Sequence, residues 1–363
     1  MRRFATLPVL PSASRRGFSL TELLVAMTIA LMVMGSLASL FGVFGRGLSG
    51  SQATVELSSK ARAASWQLRK DLAGVTCDVV PWLAPEADAG FFEYIEGPRN
   101  DQSAAHGTAN LEADTDDVLL FTARAIDHPF VGTVVTNGTA AGTAESDRAE
   151  LAWFCKAAAS QPVVGLTLHN LYRRQFLVSA APGAGAFGAA ARITGTTGSP
   201  WSIRTVSGTS YANSLGDLTK REHRFLRAAA FPYAFLGAAS AGATFDGTDQ
   251  EGEDVVLTNV IAFDVRAYDP QAGGYIDLGS GGTGAFAAAP AAKSSLTTPT
   301  FDTWSIHYEF ANPPVAGLND PAQYTRGPPY PVPLRGIEVR IRCYEPTSKQ
   351  IRQMTVRHTF VKK

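Results

Sequence analysis

The chain has 363 residues, 45% hydrophobic and 18% charged, enough apolar material for a sizeable core, which excludes a wholly disordered protein. Its 32 Lys and Arg balance 32 Asp and Glu, so the bulk charge gives no reason to expect a nucleic-acid partner. Three widely spaced cysteines and six histidines show neither a disulfide scaffold nor zinc-type pairing, and no metal, cofactor or catalytic residue is expected.

The first predicted element is a membrane helix. Met1 to Gly17 carries Arg2, Arg3, Arg15 and Arg16 and no acid; from Phe18 to Gly45 the chain is apolar apart from Glu22. The uncharged run Leu23 to Gly45 reaches roughly 35 Å as a helix, enough for a hydrocarbon core of about 30 Å. The four arginines before the span, against Arg46 alone just after it, place the N-terminus in the cytoplasm and the bulk of the chain outside. Small residues at Ser36 to Ala38 imitate a signal-peptidase site, but Glu22 argues against a plain secretory signal. An ionised side chain at the start of an apolar helix is costly, so it either has a function or snorkels to the headgroups.

The residues Arg16-Gly17-Phe18-Ser19-Leu20-Thr21-Glu22-Leu23-Leu24-Val25-Ala26-Met27 resemble the type IV prepilin signature. The resemblance implies cleavage after Gly17 by a prepilin peptidase, N-methylation of Phe18, and an assembly role for Glu22 as the acidic fifth residue of the mature chain. Cleavage before the apolar run leaves the helix attached and creates a free amine at its tip. A carboxylate one turn along, on the same subunit or a neighbour, can pair with that amine, and breaking a buried pair costs about 3–5 kcal/mol. The resemblance also implies an inner-membrane location, membrane lipid, an inner-membrane assembly platform and other pilin or pseudopilin subunits as partners. Two departures stand out: a 17-residue leader, longer than many in the family, and no helix-kinking proline, with Gly35 and Gly42 available to loosen the helix instead.

From Gln52 to Ala73 the spacing of Leu57, Ala61, Ala64, Leu68 and Leu72 predicts an amphipathic helix whose apolar stripe packs on the protein's own sheet, with Pro81 and Pro85 marking its end. Beyond residue 85 the period becomes two. Strands are predicted at Asp117–Ala125, around Leu151, Trp153 and Cys155, and at Leu166–Ser179, Asp254–Tyr268 and Thr303–Phe310. A terminal hairpin pairs Ile337 to Cys343 with Met354 to Phe360. Gly-, Ala-, Ser- and Thr-rich stretches at about 133–148, 181–215, 236–250 and 273–300 are read as long loops. The fold class is α+β: a long membrane-to-stalk helix on an antiparallel sheet head, pilin-like. Its domains are a leader at 1–17, an assembly helix at 18–50, a stalk at 51–85 and a head at 86–363.

Other motifs have simple readings. Two G-x-G-x-x-G matches, at Gly183–Gly188 and Gly279–Gly284, lack the following helix and spaced acid of a dinucleotide site. Asp114, Asp116 and Asp117 could offer oxygens to calcium but lack an EF-hand pattern, and read as a solvated turn before a strand. His169, His307 and His358 sit within strand patterns. Cys155 and Cys343, both on inward-facing strand positions, could form a disulfide; equally, all three thiols are reduced or Cys77 takes part. The terminal hairpin is basic: its charges could touch DNA or lipid phosphate, could as easily neutralise an acidic neighbour within the assembly, or form a solvated edge that discourages edge-to-edge pairing.

Residues Ala63 to Leu72 and the terminal strand pair resemble W-type minor pilins and J-type minor pseudopilins. That resemblance implies a low-copy structural subunit near the tip of a type IV pilus or a type II secretion pseudopilus, not an enzyme. A major filament subunit, and a membrane-anchored surface-binding protein that does not polymerise, are the alternatives.

Overall fold

The computed structural model describes residues 17, 19–81, 83–97, 114–181, 186–187, 198–206, 209–220, 223–224, 252–288, 299–303 and 330–361. Residues 1–53 and 54–363 form two compact units, and one helix, α1 (Leu20–Ala73), has residues in both.

In the first unit the stretch Leu20–Phe44 has a mean hydropathy of 2.2, and none of it is buried. Two of its hydroxyls bond within the helix: Thr28 donates to the Val25 carbonyl at 2.8 Å and Ser36 to the Met32 carbonyl at 2.8 Å. A helix that bonds such hydroxyls to its own carbonyls and exposes mainly apolar side chains suits hydrocarbon or other apolar helices.

Among its described residues the second unit holds the rest of α1, a single turn at Pro85–Ala87, a short helix α2 (Leu215–Thr219) and fourteen strands. The early strands are β1 (Phe92–Ile95), β2 (Val118–Arg124), β3 (Phe130–Thr136), β4 (Thr139–Ser146), β5 (Arg148–Ala157) and β6 (His169–Leu177). Three small strands follow: β7 (Ala186–Phe187), β8 (Ile203–Val206) and β9 (Thr209–Ala212). Then come β10 (Glu253–Asp269), β11 (Gly274–Ile276), β12 (Thr300–Asp302), β13 (Gly336–Glu345) and β14 (Gln350–Thr359). Nine strands form one antiparallel sheet in the order β12-β1-β2-β5-β6-β10-β13-β14, with β11 on β10.

Both faces of this sheet are covered, which explains the near-continuous apolar run of β2. Leu119, Phe121 and Ala123 join Leu57, Ala61, Ala64, Leu68 and Leu72 of α1 in one core; Val118 and Leu120 join Leu215 and Leu218 of α2 in a second. The predicted stripe of α1 is the buried face, at most 5% exposed. Each leucine so buried contributes about 1.5–3 kcal/mol relative to exposure.

Three expectations change. The helix ends at Ala73, before Pro81, because Gly74 closes it: the Gly74 N–H bonds the Lys70 and Asp71 carbonyls at 3.2 and 3.1 Å. A Cβ on Gly74 would lie 2.3 Å from the Arg124 carbonyl oxygen, so the turn packs against β2 too closely for a side chain. The stretch 133–148 is largely the β3–β4 hairpin, turning at Asn137 and Gly138 with φ of 52° and 76°, and β7, β8 and β9 lie within the expected loop 181–215, at whose end α2 begins. Of the strand expected at Thr303–Phe310, residues 304–310 lie outside the described residues, as does the stretch 236–250; the nearest described strand is β12.

Candidate processing and assembly site

The site is the start of α1, whose first helical residue is Leu20. Ser19 stands at the N-cap: its carbonyl accepts from Leu23 N–H at 3.1 Å, and its Oγ accepts from Glu22 N–H at 3.2 Å. Glu22 Oε2 in turn accepts from Ser19 N–H at 2.9 Å and from Ser19 Oγ at 3.1 Å. This is a reciprocal capping box, which satisfies two helix-end donors and puts a carboxylate at the positive end of the helix. Glu22 is therefore engaged within its own chain. Ser19 went unused in the motif reading, although Ser-x-x-Glu before an apolar run is itself a helix-start signal.

Gly17 lies outside the helix and is exposed. A Cβ built on it would meet nothing within 4 Å, and its backbone is not in the left-handed region. Nothing among the described residues requires glycine there. Phe18, the expected methylation site, lies outside the described residues. Gly17 thus sits exposed just ahead of a capped helix.

Residues 12–38 match the family described as the prokaryotic N-terminal methylation motif. The chain carries that motif. No curated protein and no solved structure matches the chain. The methylation motif spans Gly17, Ser19 and Glu22 and most of the exposed apolar helix, so capping box and apolar rod belong to the same matched segment.

The remaining singled-out residues fall elsewhere. Asp114, Asp116 and Asp117 are not a solvated turn; they are 2%, 8% and 1% exposed, and the segment leading into β2 is bonded to β10, where Phe263 N–H donates to the Asp114 carbonyl at 2.7 Å. Asp117 accepts from Gly97 N–H at 3.1 Å and Val265 N–H at 2.7 Å. Carboxylate oxygens of Glu96, Asp114 and Asp117 lie within 4.8 Å of one another, a donor set that would suit a hard cation and equally a shared proton. Burial, with Asp114 and Glu96 beside it, pushes the Asp117 carboxyl well above its ordinary value.

Cys77, Cys155 and Cys343 are buried, and all three are free thiols, so the Cys155–Cys343 bond is not made in this structure. Cys155 is on β5 and Cys343 on β13, with β6 and β10 between them. Burial pushes the Cys77 and Cys343 thiols up to about 12.

Gly279, Gly281 and Gly284 have positive φ in the turns after β11. A Cβ on Gly284 would lie 2.4 Å from the Asp269 carboxylate, which accepts from Phe286 N–H at 2.9 Å, so this glycine is needed for packing within the chain. Of the other match only residues 186–187 are described. His169 is buried with Nε2 3.4 Å from Thr115 Oγ1, His358 stacks edge-on against Phe360 in the terminal hairpin, and His307 lies outside the described residues.

Proposed function

We propose that the chain is a minor pilin or pseudopilin. A prepilin peptidase cuts it after Gly17 and methylates Phe18, and the helix holds it in the inner membrane with the sheet domain outside. Other subunits then recruit it, through an assembly platform, to a site near the tip of a type IV pilus or secretion pseudopilus. The observation that carries this reading is the wholly exposed apolar stretch Leu20–Phe44, capped by Ser19 and Glu22 and lying within a methylation motif. Apolar surface of that extent needs lipid or neighbouring helices around it. A low-copy role is supported by the size of the second unit, residues 54–363 with a nine-stranded sheet, a large load for a repeating filament subunit.

Mass spectrometry of the native protein tests the processing step: a chain beginning at N-methylated Phe18 is expected, and an intact Met1 would overturn the reading. Quantifying the chain in sheared filaments tests the copy number. It should be a trace component; dominance there would make it the major subunit, and its absence from every filament would favour a non-polymerising surface protein.

A further inference from the structure

Arg124 and Arg148 are direct cross-strand partners at the end of the β2–β5 pair. Residues opposed in this way place their side chains on the same face of the sheet with Cβ atoms about 5 Å apart, and like charges so opposed are destabilising. Both line one open cleft of about 320 Å³, walled by Gly74 to Thr76, Asp88 and Leu215. Arg124 is exposed, and no hydrogen bond or ion pair holds its guanidinium among the described residues. Arg148 has a side chain only 17% exposed, yet its Nε and Nη1 are buried without a hydrogen-bond partner. Its nearest carboxylates, Asp88 and Asp147, stand off at 3.5 and 3.7 Å. Asp88 is already engaged, accepting from Gly216 N–H at 2.7 Å.

We infer that Arg124 and Arg148 form an anion-binding cleft that takes a carboxylate side chain from an acidic peptide segment of a partner protein. An anion beside the two guanidiniums offsets their mutual repulsion and meets the exposed Arg124 guanidinium in the planar geometry that arginine and carboxylate share. The nearby carboxylates set the charge of the ligand. Asp88 in the wall and Asp147 at 3.7 Å both face Arg148, so the cationic group left to a ligand is the exposed Arg124 guanidinium, which suits a monoanion and disfavours a phosphate dianion. A volume of about 320 Å³ admits a side chain with its flanking backbone and leaves no room for a folded module.

The test is calorimetric titration of the full processed chain in detergent micelles with acetyl-Glu-Glu-Glu-amide, acetyl-Gln-Gln-Gln-amide and inorganic phosphate. The glutamate peptide should bind saturably and the glutamine peptide should not. Arg124→Gln should weaken binding by about tenfold or more, as expected for a lost charge-assisted bond. Arg124→Glu, which supplies Arg148 with a partner from within the chain, should abolish binding while leaving the melting temperature unchanged or raised. The inference fails if the glutamate peptide does not bind, if it binds Arg124→Gln as well as the parent, if phosphate binds more tightly than the peptide, or if Arg124→Glu lowers the melting temperature.

Discussion

Asp71 of α1 and Arg173 of β6 are joined by two hydrogen bonds, Nε to Oδ2 at 2.6 Å and Nη2 to Oδ1 at 3.1 Å. Trp153 Nε1 and Gln67 Nε2 donate to the same carboxylate at 3.0 and 2.9 Å. The two charged side chains are 2% and 9% exposed, so the helix is tied to the middle of the sheet by a pair that water barely screens. Removing one member leaves a buried charge without its counter-ion. Asp71→Ala is expected to lower unfolding free energy by about 3–5 kcal/mol. Replacing both residues with Asp71→Leu and Arg173→Met should recover much of the loss. Denaturant melts of the three variants read this directly; a double variant no better than the single would show that packing around Trp153, and not the stranded charge, sets the cost.

A pH dependence follows from His223. Burial, chiefly, with Lys220 nearby, pushes its imidazole down to about 4 from an ordinary 6.5, while its Nδ1 sits 3.1 Å from the Asp217 carbonyl. The folded protein therefore holds this ring neutral where the unfolded chain protonates it. Its contribution is fully present above pH 6.5, declines as the pH falls, and is lost by about pH 4, amounting to at most about 3 kcal/mol. His223→Gln should flatten the stability profile across that window in chemical melts run at successive pH values. A wild-type profile level from pH 7 to pH 4 would refute it.

The three thiols give a simpler expectation. Cys77, Cys155 and Cys343 are all buried, and burial raises each above the ordinary thiol range, so the thiolate that alkylating reagents attack is scarce on two counts. The native protein should resist alkylation, and the unfolded protein, without reductant, should take up three groups per chain. Uptake of one group would reveal a disulfide.

What could be read from the sequence was what local periodicity carries. The stripe Leu57 to Leu72 is the buried face of α1, and β2, β5, β6, β10 and the β13–β14 hairpin fall where alternating or β-branched runs place them. The β3–β4 hairpin was hidden because β4 is mostly small exposed residues, Ala140 to Ala144, with no apolar alternation, although Asn137–Gly138 is a strong turn signal. The burial of Asp114, Asp116 and Asp117 was invisible because it depends on Gly97 and Val265, distant in sequence. The facing of Arg124 and Arg148 is a matter of strand register, which no local pattern announces.

Gly17, Ser19 and Glu22 are close in sequence but answer to different constraints, and three substitutions separate them. Gly17→Ala meets open space, so it should leave the thermal melt unchanged; any block in processing then comes from the enzyme that reads the site. Ser19→Ala removes the N-cap acceptor for Glu22 N–H and should weaken the first turn by about 0.5–2 kcal/mol, seen as faster amide exchange near Leu20, with cleavage intact. Glu22→Ala loses the other half of the box and also the carboxylate proposed to meet the amine of Phe18. It should still be cut, yet enter filaments poorly. If Ser19→Ala and Glu22→Ala lower incorporation equally, capping alone explains the need for Glu22. If only Glu22→Ala does so, the carboxylate acts between subunits, and Glu22→Gln, which keeps an acceptor for the Ser19 N–H but loses the charge, should assemble no better than Glu22→Ala.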